Sequence, residues 1–346
     1  MLRLYKPIID DDIFKLHKTL ETLVCDVWCK ADDNSFEEKL SDDLKRIVNY
    51  SYKADVSFKS EIERIYIIFK GIDEPQRTKI IEAFNQAEQI EQLCNQDLKP
   101  ILLGDLHETV EKDIKPLFKW CYEDLLDKKK VGGDKLKYYK KLIKQNKFKY
   151  CPCCGLIDFE SEDDDNDVRE AYDHYLPKSE FPFASVSFKN LVPLCYKCNS
   201  DRKKTKNPIE NDRIAYYPFI DNPESHFIEI NSTFDLDLDE NKDLVLNNLE
   251  IILGGDESKS DTWNWLFDIE NQYSRKIRRN AHSFLRDLKE KYRNKLKLDN
   301  QAKFKDFLIE ELELYEKDIY YDWRFLKVAI LKHLLTLKNY IAVYEN

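Results

Sequence analysis

Apolar residues Ile13, Phe14, Leu16, Leu20, Leu23, Val24, Val27 and Trp28 recur at three- and four-residue spacing, which is the period of one helix face. Ser35 and Glu38 read as a capping box ahead of Leu40, Leu44, Ile47 and Val48. Asp73 and Pro75 predict the start of a further helix carrying Ile80, Ile81, Phe84, Ala87, Ile90 and Leu93. Residues 1–127 therefore read as a helical N-terminal domain, with Cys25 and Cys29 as core thiols on one helix face. Residues 227–253 alternate instead, through Phe227, Ile228 and Ile230 and later Leu244, Leu246, Leu249 and Ile251. This pattern predicts a small β-hairpin around an acidic turn within 221–257. The helical period returns over 258–346, a C-terminal domain. Between these parts lie a lysine-rich connecting segment, 128–149, and an irregular stretch, 150–220, that holds five of the nine cysteines and six of the 11 prolines.

The fold class this predicts is mainly α, with a small α+β module inserted between helical regions. The 7 glycines form no G-x-G-x-x-G, P-loop or G-x-S-x-G spacing, which excludes a dinucleotide-binding first turn, a P-loop ATPase and an α/β-hydrolase elbow. The most apolar stretch, Trp323 to Tyr344, is interrupted by Arg324, Lys327, Lys332 and Lys338, so no membrane span is expected. The opening MLRLYKPIIDDD lacks the apolar core and cleavage site of a secretory signal, and nine cysteines in such a chain suit reduced thiols and metal ligands, so a cytoplasmic location is expected.

A net charge of -10 by itself disfavours a nucleic-acid partner, but its distribution reverses the inference. Residues 128–149 carry ten lysines and one acid, and residues 275–297 carry ten Lys or Arg and two acids. Arg275, Arg279 and Arg286 fall along one stripe of the second segment, opposite Ile277, Ala281, Phe284, Leu288 and Tyr292, so one face can pack while the other meets phosphate. Tyr138, Tyr139 and Phe148 among the first set of lysines could stack on bases. Within the acidic run 158–170, which has eight Asp or Glu, Glu162 to Asp165 read as a solvated loop or as an autoinhibitory segment that occupies the basic channel.

Cys151-Pro-Cys-Cys154-Gly and Cys195-Tyr-Lys-Cys198 are two C-x-x-C pairs, and together they supply the four thiolates of a tetrahedral Zn²⁺ site. Gly155 suits a tight knuckle turn, and Cys153 is a spare thiol. The pairs stand 40 residues apart, against about 15–20 in a plain zinc ribbon, so something is inserted between them. The insertion holds Asp173-His174, Pro177 and Asn190, and Asn199 directly follows the second pair. His174 is a candidate base at neutral pH, and the hard oxygens of Asp173 and Asn199 suit Mg²⁺ or Mn²⁺ in preference to a second zinc.

This set resembles the HNH, or ββα-metal, endonucleases, in which an Asp/Glu-His-x-x-Pro strand end, a loop Asn nine residues ahead of a helix Asn or His, and flanking C-x-x-C pairs recur together. The resemblance covers Tyr150 to Thr205. It implies that His174 activates water, that Asn190 fixes the loop carrying the base, and that Asp173 and Asn199 hold a catalytic Mg²⁺ or Mn²⁺. It also implies that Cys151, Cys154, Cys195 and Cys198 hold a structural Zn²⁺. Arg202, Lys203 and Lys204 would lie on the following helix, within reach of phosphate. One active site would cut one strand of nucleic acid, DNA favoured, so a double-strand break would need a homodimer or two encounters. The helical flanks look like those of HNH effector subunits in Septu-type and retron-associated anti-phage systems, where the nuclease works with an ATPase. The competing reading is a non-catalytic zinc-stabilised module that binds nucleic acid or protein.

Overall fold

The computed structural model describes residues 1–9, 12–53, 56–128, 131, 134–160, 169–238 and 244–345. The chain is mainly helical, with three small two-stranded antiparallel sheets among the described residues. It divides into two compact units: residues 4–148 with 160–223, and residues 1–3 with 149–159 and 224–346. Among the described residues, no helix is long and apolar enough to cross a membrane.

In the first unit the N-terminal pattern folds as expected. Helix Phe14–Glu21 runs on into wider turns over Thr22–Trp28, burying Leu16, Leu20, Leu23, Val24, Val27 and Trp28. The Trp28 indole N–H donates to the Ile62 carbonyl at 2.9 Å, so this large side chain is buried without an orphaned donor. The capping expectation at Ser35 is corrected. Ser35 makes no side-chain cap, and Ser41 caps the helix Asp42–Ile47 by accepting from the Leu44 N–H at 3.2 Å. Asp73 caps helix Glu74–Gln86 as expected, accepting from the Gln76 N–H at 2.9 Å.

The lysine-rich segment contains helix Lys135–Asn146, capped by Asp134, and its Tyr138, Tyr139, Leu142 and Ile143 are buried. Tyr138, Tyr139 and Phe148 are therefore core residues and do not offer rings to nucleic acid. Their apolar period decided their placement, and Lys141, Lys144 and Lys147 face solvent. The acidic residues 161–168, and with them the expected autoinhibitory segment, lie outside the described residues.

The part of this unit that carries the candidate chemistry is a short antiparallel pair, Tyr172–His174 with Leu191–Pro193, followed by a one-and-a-half-turn helix, Lys197–Lys203. The loop between the strands is anchored by Phe183, whose ring lies 5.2 Å from Phe84 and 5.4 Å from Phe118, centroid to centroid. Phe118 belongs to helix Lys115–Glu123, so a helical element far away in sequence supports the loop.

In the second unit, strands Ile230–Leu238 and Leu244–Leu253 form the expected hairpin, with an irregular register between Thr233 and Asp235. Helix Ile269–Leu298 buries Ile277, Ala281, Phe284, Leu288 and Tyr292 and leaves Arg275, Arg279 and Arg286 exposed. Arg275 pairs with Asp268 at 3.2 Å. Lys149–Phe159 forms a tight turn, in which the Gly155 N–H donates to the Cys151 carbonyl at 2.7 Å and the Cys151 N–H to the Ile157 carbonyl at 2.8 Å.

Candidate active site

The Sγ atoms of Cys151, Cys154, Cys195 and Cys198 all lie within 4.8 Å of one another, and all four residues are buried. Tetrahedral Zn²⁺ with bonds of about 2.3 Å sets its thiolates about 3.8 Å apart. The four sulfurs therefore already form a cluster close to the size zinc requires, and the donor set fits Zn²⁺. Gly155 makes the first turn possible. It sits at φ +68°, and a Cβ there would meet the Leu2 Cδ2 at 2.5 Å and the Phe325 ring at 2.9 Å. Cys153 is buried too but stands outside the four-sulfur group.

Asp173, His174 and Asn199 line one cavity of about 550 Å³. Asp173 and His174 are neighbours on a strand and would ordinarily point to opposite faces. His174 is the last residue of its strand, and both residues line the cavity.

Two contacts and its burial define the chemistry of His174. Its Nε2 lies 3.1 Å from the Ser185 carbonyl, which can only accept, so Nε2 carries the proton and Nδ1 the lone pair. The Tyr122 ring stands edge-on with its centroid 4.5 Å away. Burial, then the charge of Lys178, push the imidazole pKa down to about 3, so the ring is neutral at pH 7.

Asn190 holds the loop between the strands and is completely buried. Its Oδ1 accepts from the Leu176 N–H at 2.7 Å, and its Nδ2 donates to the carbonyls of Leu176 and Ala184 at 2.9 and 3.1 Å. The Tyr175 N–H also donates to the Asn190 carbonyl at 2.9 Å. One side chain thus ties the segment just after His174 to the segment that supplies the Ser185 carbonyl.

Asp173 is buried, and its carboxylate is met by Lys203. The ammonium donates to Oδ1 at 3.2 Å and lies 3.0 Å from Oδ2, while also donating to the His174 carbonyl at 2.8 Å. Oδ2 makes no hydrogen bond. Burial outweighs Lys203 in setting the Asp173 pKa, which is raised. Lys203 was expected on a phosphate-facing surface. The structure turns it inward, because the carboxylate beneath the helix is the stronger local partner.

Lys204 remains exposed on the cavity rim and Arg202 is half-buried. Asn199 is the third residue of the helix, and the wide turn closes with the Lys204 N–H donating to the Asn199 carbonyl at 2.9 Å.

Sequence reasoning did not single out Lys115, Lys119 and Lys178, which line the same cavity, or Tyr122 and Ser185. It also missed Glu88. That carboxylate accepts from the Ser187 hydroxyl at 2.8 Å, pairs with Lys189 at 2.9 Å and lies 3.4 Å from the His17 Nδ1. None of these residues carries a local motif.

No family model matches the chain, and no solved structure matches it. Over 87 residues the chain is 32% identical to the Septu protein PtuB of Bacillus thuringiensis; the aligned stretch covers 24% of this chain and spans 28% of that protein.

Proposed function

We propose that the chain is a metal-dependent endonuclease of the HNH type that hydrolyses phosphodiester bonds in nucleic acid, DNA favoured, as an effector in anti-phage defence. The observation that carries this reading is the placement of His174: it lines a cavity with its Nε2 proton committed to the Ser185 carbonyl, which leaves Nδ1 with the lone pair a base needs. The order of strand, strand and helix around it agrees with the architecture that the resemblance implies.

In this reading His174 takes the proton of the attacking water at Nδ1. Ser185 holds the ring in the tautomer this requires, and Asn190 holds Ser185's segment in register with the end of the strand. Asp173 and Asn199 line the same cavity and carry hard oxygens suited to Mg²⁺ or Mn²⁺, with Lys203 standing 3.0 Å from Asp173 Oδ2. Such an ion, when bound, supplies positive charge against the developing phosphorane and the leaving oxygen. The four-cysteine cluster would hold Zn²⁺ as a structural ion.

The defence role rests on the short PtuB similarity together with the helical flanks. The chain has no nucleotide-binding loop of its own, so nucleotide control would come from an ATPase partner.

One observation favours the competing, non-catalytic reading: Lys203 already meets the Asp173 carboxylate and could make a divalent ion unnecessary. Incubating the zinc-loaded protein with supercoiled plasmid and with RNA, with Mg²⁺ or Mn²⁺ and with neither, separates the two. Nicking or cleavage that appears only with the added ion supports the nuclease. Binding with no cleavage under any ion supports the module.

A further inference from the structure

The cavity at His174 is larger and less polar than a bare phosphodiester requires. At about 550 Å³ it has the size of pockets that enclose small organic ligands. Pro116, Pro177 and Pro182 form part of its wall. Flat apolar surfaces of this kind take the face of a nucleobase once it has left its stack. Four lysines share the lining: Lys115 and Lys119 from helix Lys115–Glu123, Lys178 after the first strand, and Lys204 at the end of the short helix. The acids in the lining are Glu111 and Asp173, and Asp173 is already matched by Lys203.

Two further observations point the same way. Lys204 adopts φ +54° and ψ -118°, a conformation costly for any residue with a Cβ, at the point where its side chain joins the cavity rim. Lys119 and Lys178 both approach Glu123, at 3.8 and 3.9 Å, so two ammonium groups share one carboxylate. Burial depresses the Lys178 pKa, against the opposing pull of Glu123 and with smaller pushes from Lys119 and Lys135.

We infer that this cavity receives a single unstacked nucleotide, its base against the proline wall and its flanking phosphates on Lys115, Lys119, Lys178 and Lys204, so that the substrate is single-stranded or locally melted nucleic acid. The inference deepens the nuclease reading and rests on it for the word substrate. The binding preference can be measured without cleavage. Helix Lys115–Glu123 lies outside the Tyr150–Thr205 stretch that carries the motif, and it contributes half of the phosphate contacts.

The test uses the zinc-loaded full chain without added Mg²⁺ or Mn²⁺. DNA and RNA oligonucleotides carrying one 2-aminopurine are titrated as single strands and as matched duplexes over a range of salt. The expected result is single-strand affinity at least about tenfold above duplex for one or both sugars, with 2-aminopurine brightening as it unstacks. The surface double variant Lys115→Glu/Lys119→Glu should weaken single-strand binding and lower the salt slope by about 2. Duplex bound as tightly as single strand, a dark 2-aminopurine in every complex, or a double variant with unchanged affinity and slope overturns the inference. A protein that shows the expected binding but cleaves nothing when Mg²⁺ or Mn²⁺ is supplied keeps this inference and removes the nuclease reading. A nuclease that prefers duplex does the reverse.

Discussion

The cysteine cluster and the His174 cavity are both built from buried polar groups, but they balance charge differently. Four sulfurs converge within 4.8 Å, and as thiolates they would repel one another without a metal between them. At the cavity the one buried carboxylate, Asp173, already has a cation 3.0 Å away in Lys203. The first cluster, if its sulfurs are thiolates, would need a cation to hold its shape. The second has its charge balanced by its own side chains.

The largest expected effect separates the two sites directly. Cys198→Ser should lose the bound zinc, measured by metal analysis, and destabilise the fold by several kcal/mol or prevent folding, since structural zinc contributes on the order of 10 kcal/mol in small zinc domains. Stripping Mg²⁺ or Mn²⁺ should leave the thermal midpoint nearly unchanged, because Lys203 and not an added ion neutralises Asp173. A large drop on removing those ions alone would break the contrast.

Next in size is Lys203→Met. It strands a buried carboxylate and should cost about 3–5 kcal/mol in chemical denaturation at pH 7. The double variant Lys203→Met/Asp173→Asn should recover much of that loss, and equal losses in both would mean that the ion pair is not what Lys203 contributes. Gly155→Ala is smaller, about 1–3 kcal/mol, because a Cβ at φ +68° would press on Leu2 and Phe325.

The smallest effect concerns His17. Burial holds its imidazole pKa below the ordinary value of 6.5, against the opposing pull of Glu88 and with a minor push from Lys189. Native His17 is neutral, so its contribution is fully present above about pH 6.5. As pH falls below that, the unfolded chain takes up a proton the native state resists, and stability is lost. His17→Leu should flatten the stability profile below pH 6.5 relative to the parent chain, and an unchanged profile would remove His17 from the acid response.

The contrast also explains what could be read from the sequence. Zinc ligands arrive in C-x-x-C pairs, so Cys151, Cys154, Cys195 and Cys198 were identifiable from local spacing, and the structure gathers all four. Asp173, His174, Asn190 and Asn199 were named from a longer pattern, and the structure brings Asp173, His174 and Asn199 to one cavity with Asn190 tying the loop beside it. Helix Lys115–Glu123 could not be placed there, because its contact with the strand loop runs through packing of Phe118 on Phe183, to which no short pattern corresponds. Tyr138 and Tyr139 were misread for the opposite reason. Their helical spacing with Leu142 and Ile143 was visible, but the surrounding lysines were given more weight than the apolar period.

The central claim is that His174 is the base of a hydrolytic site which the zinc cluster supports without taking part in the chemistry. The direct measurement compares His174→Ala with the parent chain for cleavage of plasmid and single-stranded oligonucleotides in Mg²⁺ and Mn²⁺, with zinc content and thermal midpoint recorded on the same samples. The account predicts cleavage lowered by about 10²–10⁴-fold or abolished, with zinc content and folding retained. Cleavage at the parental rate from a fully folded, zinc-loaded His174→Ala protein would contradict it.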